Sequence, residues 1–233
     1  MGKGNVIKKK VAIFGTSKIA DIVYSAIRED RQSRLEVVAF CVDDEYYNEE
    51  TKFSLPIYKY SQMKNRLSPE EVQLLVAVGY HRMNRFRLDK MAQIKKDGYS
   101  LASYVSSLAD ISSSAVVGEN SIIMNNSTIG PFCKIGDGVC IYNNATVSHH
   151  STVGDGCWVT SGTTIGGNCS IGNRTFLGIG SIIGHNITVG ANNFIGAGSI
   201  ITKSTEDDSV YAVPDTPKYR LDTDRFMKLF KFD

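Results

Sequence analysis

From Ile111 to Ile201 the chain obeys one rule, an aliphatic residue at every sixth position. From Val117 to Ile201 this gives fifteen consecutive Val, Ile or Leu residues without a phase slip, and Ile111 extends the series backwards. Two positions before each aliphatic the residue is mostly small, as at Ala115, Ser121, Cys133, Ala145, Cys157, Thr163 and Cys169, so large and small inward positions alternate. Gly directly follows ten of the fifteen aliphatics, where it is expected to turn a corner at positive φ. A short strand and a corner every six residues, three to a coil, predict a triangular parallel β-helix stacked at about 4.8 Å. Each buried aliphatic contributes about 1.5–3 kcal/mol, which over the whole series is an adequate core even after chain entropy offsets most of it.

The segment before the repeat reads as a small α/β unit. Val11–Phe14 is a short apolar run ending at Gly15, Thr16 and Ser17, and Ile19, Ile22, Val23, Ala26 and Ile27 follow at helical spacing. Leu35–Val42 reads as a buried strand stopping at Asp43 and Asp44, and the stretch from Asp44 to Ser61 reads as irregular, broken by Pro56. Ser68-Pro69-Glu70-Glu71 has the form of a helix start with Pro at the first helical position. Val72–Val78 is a further apolar run ending at Gly79 and Tyr80, and Met83–Lys96 is a second helix stopped by Asp97-Gly98. Parallel sheets bind ligands at the carboxyl ends of their strands, which makes Gly15-Thr16-Ser17, Asp43-Asp44 and Gly79-Tyr80 the candidate binding positions. On the residues alone, Gly15 and Gly79 read equally as turn glycines, and no G-x-G-x-x-G fingerprint argues for a dinucleotide.

Composition removes several function classes. A net charge of +2, with no lysine stripe on a periodic element, gives no electrostatic case for nucleic acid. The basic start of the chain has no apolar run long enough for a signal peptide or membrane span, and Val6 breaks the myristoylation pattern begun by Met1-Gly2. A cytoplasmic location is expected. The five cysteines include no CxxC pair; Cys133, Cys157 and Cys169 fall on the small inward position as compact hydrophobes, Cys41 closes an apolar run, and Cys140 gives no signal.

The four histidines are His81, His149, His150 and His185. His149 and His150 follow Val147 by two and three positions, near a coil corner, where exposure is expected. Tyr142, Ser148 and Thr160 there replace the Gly that follows most aliphatics, and local rule-breaking inside a regular repeat marks functional residues. The plainer alternative is that His149 is a solvated surface residue. His149 and His185 stand thirty-six residues apart on one corner, a spacing similar to that of the γ-type carbonic anhydrases. The position where a third ligand is needed is Gly190, so no metal site is expected.

The hexapeptide series resembles that of the hexapeptide-repeat acyltransferases, and the whole chain resembles the nucleotide-sugar N-acetyltransferases of the PglD/NeuD type. The resemblance implies a Rossmann-like domain (residues 1–107), a left-handed parallel β-helix (residues 108–204) and a C-terminal loop and tail (residues 205–233). It implies acetyl transfer from acetyl-CoA to the amine of a UDP-, dTDP- or GDP-linked amino-deoxy sugar for glycan or lipopolysaccharide biosynthesis. It further implies a homotrimer with active sites between subunits. Sugar O-acetylation and a non-catalytic nucleotide-sugar-binding β-helix are the alternatives.

In such enzymes the first domain holds the nucleotide, which assigns Gly15, Thr16, Ser17, Asp43, Asp44, Gly79 and Tyr80 to it. The family turn is replaced here by Gly15-Thr16-Ser17-Lys18-Ile19-Ala20. The family pattern V-x-H-D-x-x-I-G places the general base on His149, with His150 where the acid usually stands and Ser148 before it. One eighteen-residue coil above His149 lies Gly167, whose N–H the resemblance implies as an oxyanion donor. Asn143 and Asn144 fall beside a substrate-contacting Asn. A cofactor-contacting His falls on Trp158, which would pack on pantetheine or the sugar. Acetyl-CoA would pass Gly178, Gly180, Ala197 and Gly198, with Lys203 or Lys218 near its phosphates and Pro214 in the loop over its adenine end. The amphipathic tail Asp224–Phe232 is expected to pack on the coils or on a neighbouring subunit.

Overall fold

The computed structural model describes residues 8–230. The lipidation pattern at Met1–Val6 and the end of the amphipathic tail, residues 231–232, lie outside the described residues. The first unit is built from β1 (Lys9–Phe14), α1 (Lys18–Glu29), β2 (Leu35–Val42), β3 (Thr51–Lys52), β4 (Leu55–Lys59), β5 (Val72–Val76) and α2 (Arg85–Lys96). Its sheet runs β3-β4-β2-β1-β5, parallel except for β3 against β4. Val11–Phe14 on β1, an interior strand between β2 and β5, is buried throughout, as a strand covered on both faces must be. α1 turns Ala20, Val23, Tyr24 and Ile27 onto the sheet.

Two stretches depart from expectation. The segment read as irregular contains β3 and β4, and Pro56 is accommodated because the ladder from β4 to β2 begins only at Ile57. The expected helix start at Ser68-Pro69-Glu70-Glu71 is a tight turn, with the N–H groups of Glu71 and Val72 both donating to the Ser68 carbonyl. That turn delivers the chain directly into β5, leaving no residues for a helix.

The second unit is a coil of eighteen two-residue strands from Tyr104–Val105 to Val210–Tyr211, stacked into three parallel sheets. Thr128 pairs with Thr146 and Thr146 with Thr164, an eighteen-residue register repeated throughout until Ile195 pairs with Tyr211 in a shorter last coil. The ladder therefore contains both expected domain boundaries. All the hexad aliphatics from Ile123 to Ile201 lie in one buried core with Cys133, Cys157 and Cys169.

The reason for the repeat's glycines differs from the expected one. The left-handed residue is three positions after each aliphatic: Asn120, Asn126, Phe132, Gly138, Asn144, His150, Gly156, Gly162, Asn168, Arg174, Gly180, Asn186, Asn192 and Gly198. The Gly directly after the aliphatic has no such φ. It is required because the next coil passes too close: a Cβ on Gly172 would lie 2.4 Å from the Ala191 nitrogen, and one on Gly178 would lie 2.5 Å from that of Ala197.

The coil has three faces. One carries Tyr104, Ile122, Cys140, Trp158 and Phe176 outward into a shared core with Val11, Ile13, Val23, Leu75 and Ala77 of the first unit. At the edge leading into this face, the side-chain amide of Asn120 accepts from the Val76 N–H (2.7 Å) and donates to the Val76 carbonyl (3.2 Å). Arg87 of α2 is fully buried beside the same edge and donates to the carbonyls of Gly138 (2.6 Å) and Gly156 (3.3 Å).

The two kinds of glycine predict opposite responses. Gly172→Ala should destabilise the coil by about 1–3 kcal/mol, as expected of overpacking. Gly162→Asn, at φ 69° with nothing within 4 Å of an added Cβ, should cost under about 1 kcal/mol because Asn tolerates this conformation. Thermal melts of the two variants against the parent check the order.

Candidate active site

The carboxyl ends of β1, β2 and β5 open on a cavity of about 540 Å³ lined by Phe14, Gly15, Thr16, Ser17, Val42, Asp43, Tyr46, Val78, Gly79, His81, Arg82 and Phe86. Sequence reasoning placed Gly15, Thr16, Ser17, Asp43 and Gly79 there. Gly15 is sterically obligatory, since at φ 121° its Cβ would lie 2.7 Å from the Ala77 carbonyl oxygen. Gly79 has room for a side chain, so packing does not explain it. Ser17 begins α1 without capping it through its side chain, which leaves the helix's first N–H groups directed at the cavity mouth.

Asp43 is held by Lys90 of α2, whose ammonium donates to its Oδ1 at 2.6 Å and to Gln93 at 2.7 Å. Lys90 lies over the rings of Phe14 and Tyr60, both at 4.8 Å. One carboxylate oxygen of Asp43 is thus committed within the protein. Asp44 turns elsewhere: it accepts from the Ser61 hydroxyl at 2.6 Å, and that bond is the main reason its carboxyl sits below the usual range. Asp44 lines a neighbouring polar pocket with Tyr60 and Asp97, and its expected place in the nucleotide cavity is corrected accordingly. Tyr80 also leaves the cavity. It reaches the coil, where its ring meets Phe176 at 4.8 Å and Trp158 at 5.7 Å.

The remaining expected residues sort onto two edges of the prism. Asn143, Asn144, Gly178, Gly180, Ala197, Gly198 and Pro214 follow strands of the docked face and share the edge beyond it. His149, His150, Gly167, His185 and Lys203 follow strands of the next face and share the next edge. Lys203 is therefore in line with His149, not with the small residues among which it was expected. One chain does not bring the two sets together.

His149 and His150 are both exposed. Their Nδ1 atoms lie 3.2 Å apart, so one imidazole donates to the other. The His149 ring lies against Gly167, where an added Cβ would come within 2.6 Å of its Cε1 and Nε2. The Gly167 N–H donates to Nδ1 of His185 at 2.9 Å. That bond corrects the oxyanion-donor role expected for Gly167, because the donor already has a partner one coil above. His185 stands on the corner shared with His149, as the thirty-six-residue spacing implied, whereas sequence reasoning missed Phe132, whose ring lies 4.8 Å from that of His150.

Trp158 is also corrected. It is 3% exposed, stacked on Tyr142 at 5.5 Å with the Arg87 guanidinium at 5.0 Å, and is enclosed where the two units meet. Its neighbour one coil away on the same column, Cys140, shares that core. Burial raises the Tyr142 hydroxyl above its ordinary range and pushes the Cys157 thiol up to about 12, so neither ionises near neutrality. The tail helix α3 (Thr223–Met227) has Leu229 and Phe230 exposed beyond it, and Phe226 contacts Tyr219 and Phe230.

The family described as GMPPB C-terminal domain matches residues 105–212, the span of the coil. No match was found among curated proteins. Among solved structures, the acetyltransferase domain of PglB from Neisseria gonorrhoeae FA1090 is 24% identical, with a TM-score of 0.77 over 91% of this chain and 100% of that one. PerB from Caulobacter crescentus, in complex with CoA and GDP-perosamine, is 26% identical, with a TM-score of 0.76 over 86% of this chain and 92% of that one. A variant of GDP-perosamine N-acetyl transferase from the same organism is 25% identical at the same coverage and TM-score. Over most of its length the chain is thus similar to sugar N-acetyltransferases of known structure. These likenesses span both units, so the first unit and the coil are matched as one chain. No helix among the described residues is long and apolar enough to cross a membrane.

The enclosure of Trp158 gives a direct optical test of how the two units are held. Arg87→Ala should leave the Gly138 and Gly156 carbonyls without their buried donor, at a cost of about 1–3 kcal/mol for an unpartnered acceptor. Emission from this sole tryptophan should shift to the red and become accessible to iodide, while far-ultraviolet dichroism stays near that of the parent.

Proposed function

We propose that the protein transfers the acetyl group of acetyl-CoA to the amine of a nucleotide-linked amino-deoxy sugar. The observation that carries this reading is the likeness, across both units at once, to a GDP-perosamine N-acetyl transferase in complex with CoA and GDP-perosamine. The first unit is a Rossmann-like nucleotide-binding domain and the coil a left-handed β-helix. The enzyme works in the cytoplasm on precursors of surface glycan, the carrier nucleotide being UDP, dTDP or GDP.

The cavity chemistry suits a nucleoside diphosphate. Phe14, Tyr46, Val78 and Phe86 offer apolar walls to a base, and the start of α1 with Arg82 offers positive potential to phosphates. The free Oδ2 of Asp43 accepts from a ribose hydroxyl or a base N–H. Tyr80 continues from the cavity to the aromatic column of the coil and borders the path a sugar would take.

The active protein is a homotrimer. Beside the edge carrying Gly178 and Gly180 the chain exposes Ile179, Ile182, Ile200 and Val213 at 65%, 42%, 64% and 53%. A second copy covers such a strip and brings its own His149 edge against the small-residue edge, where acetyl-CoA lies past Gly178, Gly180, Ala197 and Gly198.

His149 is the general base. With its Nδ1–H donating to Nδ1 of His150, its Nε2 is left as the acceptor for the amine proton. The neutral amine attacks the thioester carbonyl, the new C–N bond forms, and His149 takes the proton. The C–S bond then breaks, and the imidazolium returns a proton to the departing CoA thiolate. His150 stands where a carboxylate usually stands and fixes the tautomer through its lone pair. Gly167 leaves room for the ring.

Two variants test the reading by coupled release of the CoA thiol against a panel of amino-sugar nucleotides, with hydroxyl acceptors as a control arm. His149→Asn should lower kcat about 10²–10⁴-fold, the usual range for a removed general base, with the assembly mass unchanged. For the nucleotide site the informative change is Asp43→Asn, which keeps an acceptor for the buried Lys90. It should raise KM for the nucleotide sugar about 10-fold or more, as for a lost charged hydrogen bond, and leave KM for acetyl-CoA alone. Normal kcat in the first variant, or normal sugar KM in the second, would remove that residue from the site.

A further inference from the structure

The left-handed column of the coil is written almost wholly in two residues. Of its fourteen positions from Asn120 to Gly198, six are Asn and five are Gly; the others are Phe132, His150 and Arg174. Asn and Gly occupy this conformation at low cost, whereas a residue with a bulky side chain is strained there. Strain retained against a repeat that elsewhere avoids it points to function. Two of the three exceptions, Phe132 at φ 61° and His150 at φ 58°, are stacked neighbours eighteen residues apart on the edge that carries His149.

The Phe132 side chain has no core to fill. It is 58% exposed, and its ring lies 4.8 Å from that of His150 at 35°. Its backbone N–H is held by the Ser114 hydroxyl at 3.0 Å, which fixes the residue from the coil below. The His150 N–H in turn donates to the Pro131 carbonyl at 2.9 Å. Phe132 thus supports one face of the imidazole whose Nδ1 meets His149.

We infer that Phe132 is a positioning residue of the active site, holding His150 against His149 and offering its ring face to the imidazolium pair formed during turnover. The inference rests on His149 acting as the base. The ring acts in two ways. It blocks the His150 rotamers that would turn Nδ1 away from His149, and its negative face stabilises positive charge shared between the two imidazoles.

Phe132→Asn separates this role from a structural one, because Asn is the residue the column prefers. Its melting temperature should equal or exceed the parent's, and its sedimentation should be unchanged. Its kcat should fall about 3–30-fold, the span that a cation–π contact of ordinary strength converts to, with KM for acetyl-CoA unchanged. Phe132→Tyr, which keeps the ring, should recover most of the lost rate. In a His150→Asn background, Phe132→Asn should cost little more, since the group it positions is gone.

Full kcat in Phe132→Asn overturns the inference. So does a loss that tracks dissociation of the assembly, or an equal cost with and without His150. The control His149→Asn keeps the two readings apart: if it retains full rate, the base assignment fails by itself, whereas a dead His149→Asn beside an unimpaired Phe132→Asn rejects the role of Phe132 alone.

Discussion

The structure depends on how closely successive coils pass one another. The carbonyls and amides of one coil pair with those one turn above, and most of the glycines that follow an inward aliphatic have the next backbone within 3 Å of where a Cβ would stand. That contact fixes the eighteen-residue register. Once the register is fixed, residues far apart in sequence become vertical neighbours, and every edge of the prism turns into a column. His149, Gly167 and His185 are such a column, as are Phe132 and His150. The chemistry is therefore placed by rigid stacking rather than by a loop, which suits a site whose groups must be held to within a fraction of an ångström.

The same rigidity sets where the cavity at the strand ends of the first unit lies relative to the coil. The first unit docks on one face through an aromatic column, and three polar devices fix its position there. Asn120 pairs with the backbone at the end of β5 as another strand residue would. Arg87 is buried without a carboxylate partner and is compensated by two carbonyls and the Trp158 ring. Glu119 receives Lys95 in a close ion pair at the surface. The surface pair contributes little. Arg87 is different, because a buried cation tolerates only the arrangement that satisfies it. Specificity of docking, more than its strength, is what Arg87 supplies.

How much of this could be read from the sequence follows from the physics of each part. The hexad was legible because its core residue recurs at a fixed spacing with a single chemical meaning. The strand ends with Gly15, Thr16, Ser17 and Asp43 were legible because strand, turn and helix each carry local signals. The glycine rationale was misread, since close approach and positive φ both select Gly, and only coordinates separate them. Trp158 was misplaced for a related reason. A position on the repeat tells which way a side chain points, but not which face the first unit covers. Lys203 lies fifty-four residues, or three coils, beyond His149, so within one chain it shares the His149 edge and not that of Gly178 and Gly198. Asn168 and Asn186 mark the preferred chemistry of the column, so Phe132 was visible in the sequence as an exception once that column was recognised.

The histidine pair has an electrostatic consequence of its own. A carboxylate behind a basic imidazole stabilises its protonated form by opposite charge. A neutral imidazole does so only through its dipole and lone pair, an interaction weaker by roughly half. On an edge as exposed as this one, water screens much of either effect. In the proposed mechanism the pair therefore contributes mainly orientation, holding the two rings with their Nδ1 atoms 3.2 Å apart. An orienting partner must itself be held, and His150 sits on a strained backbone with an exposed aromatic ring as its neighbour. The energy lost in those two left-handed residues is spent where a less constrained pair of rings would sample many rotamers.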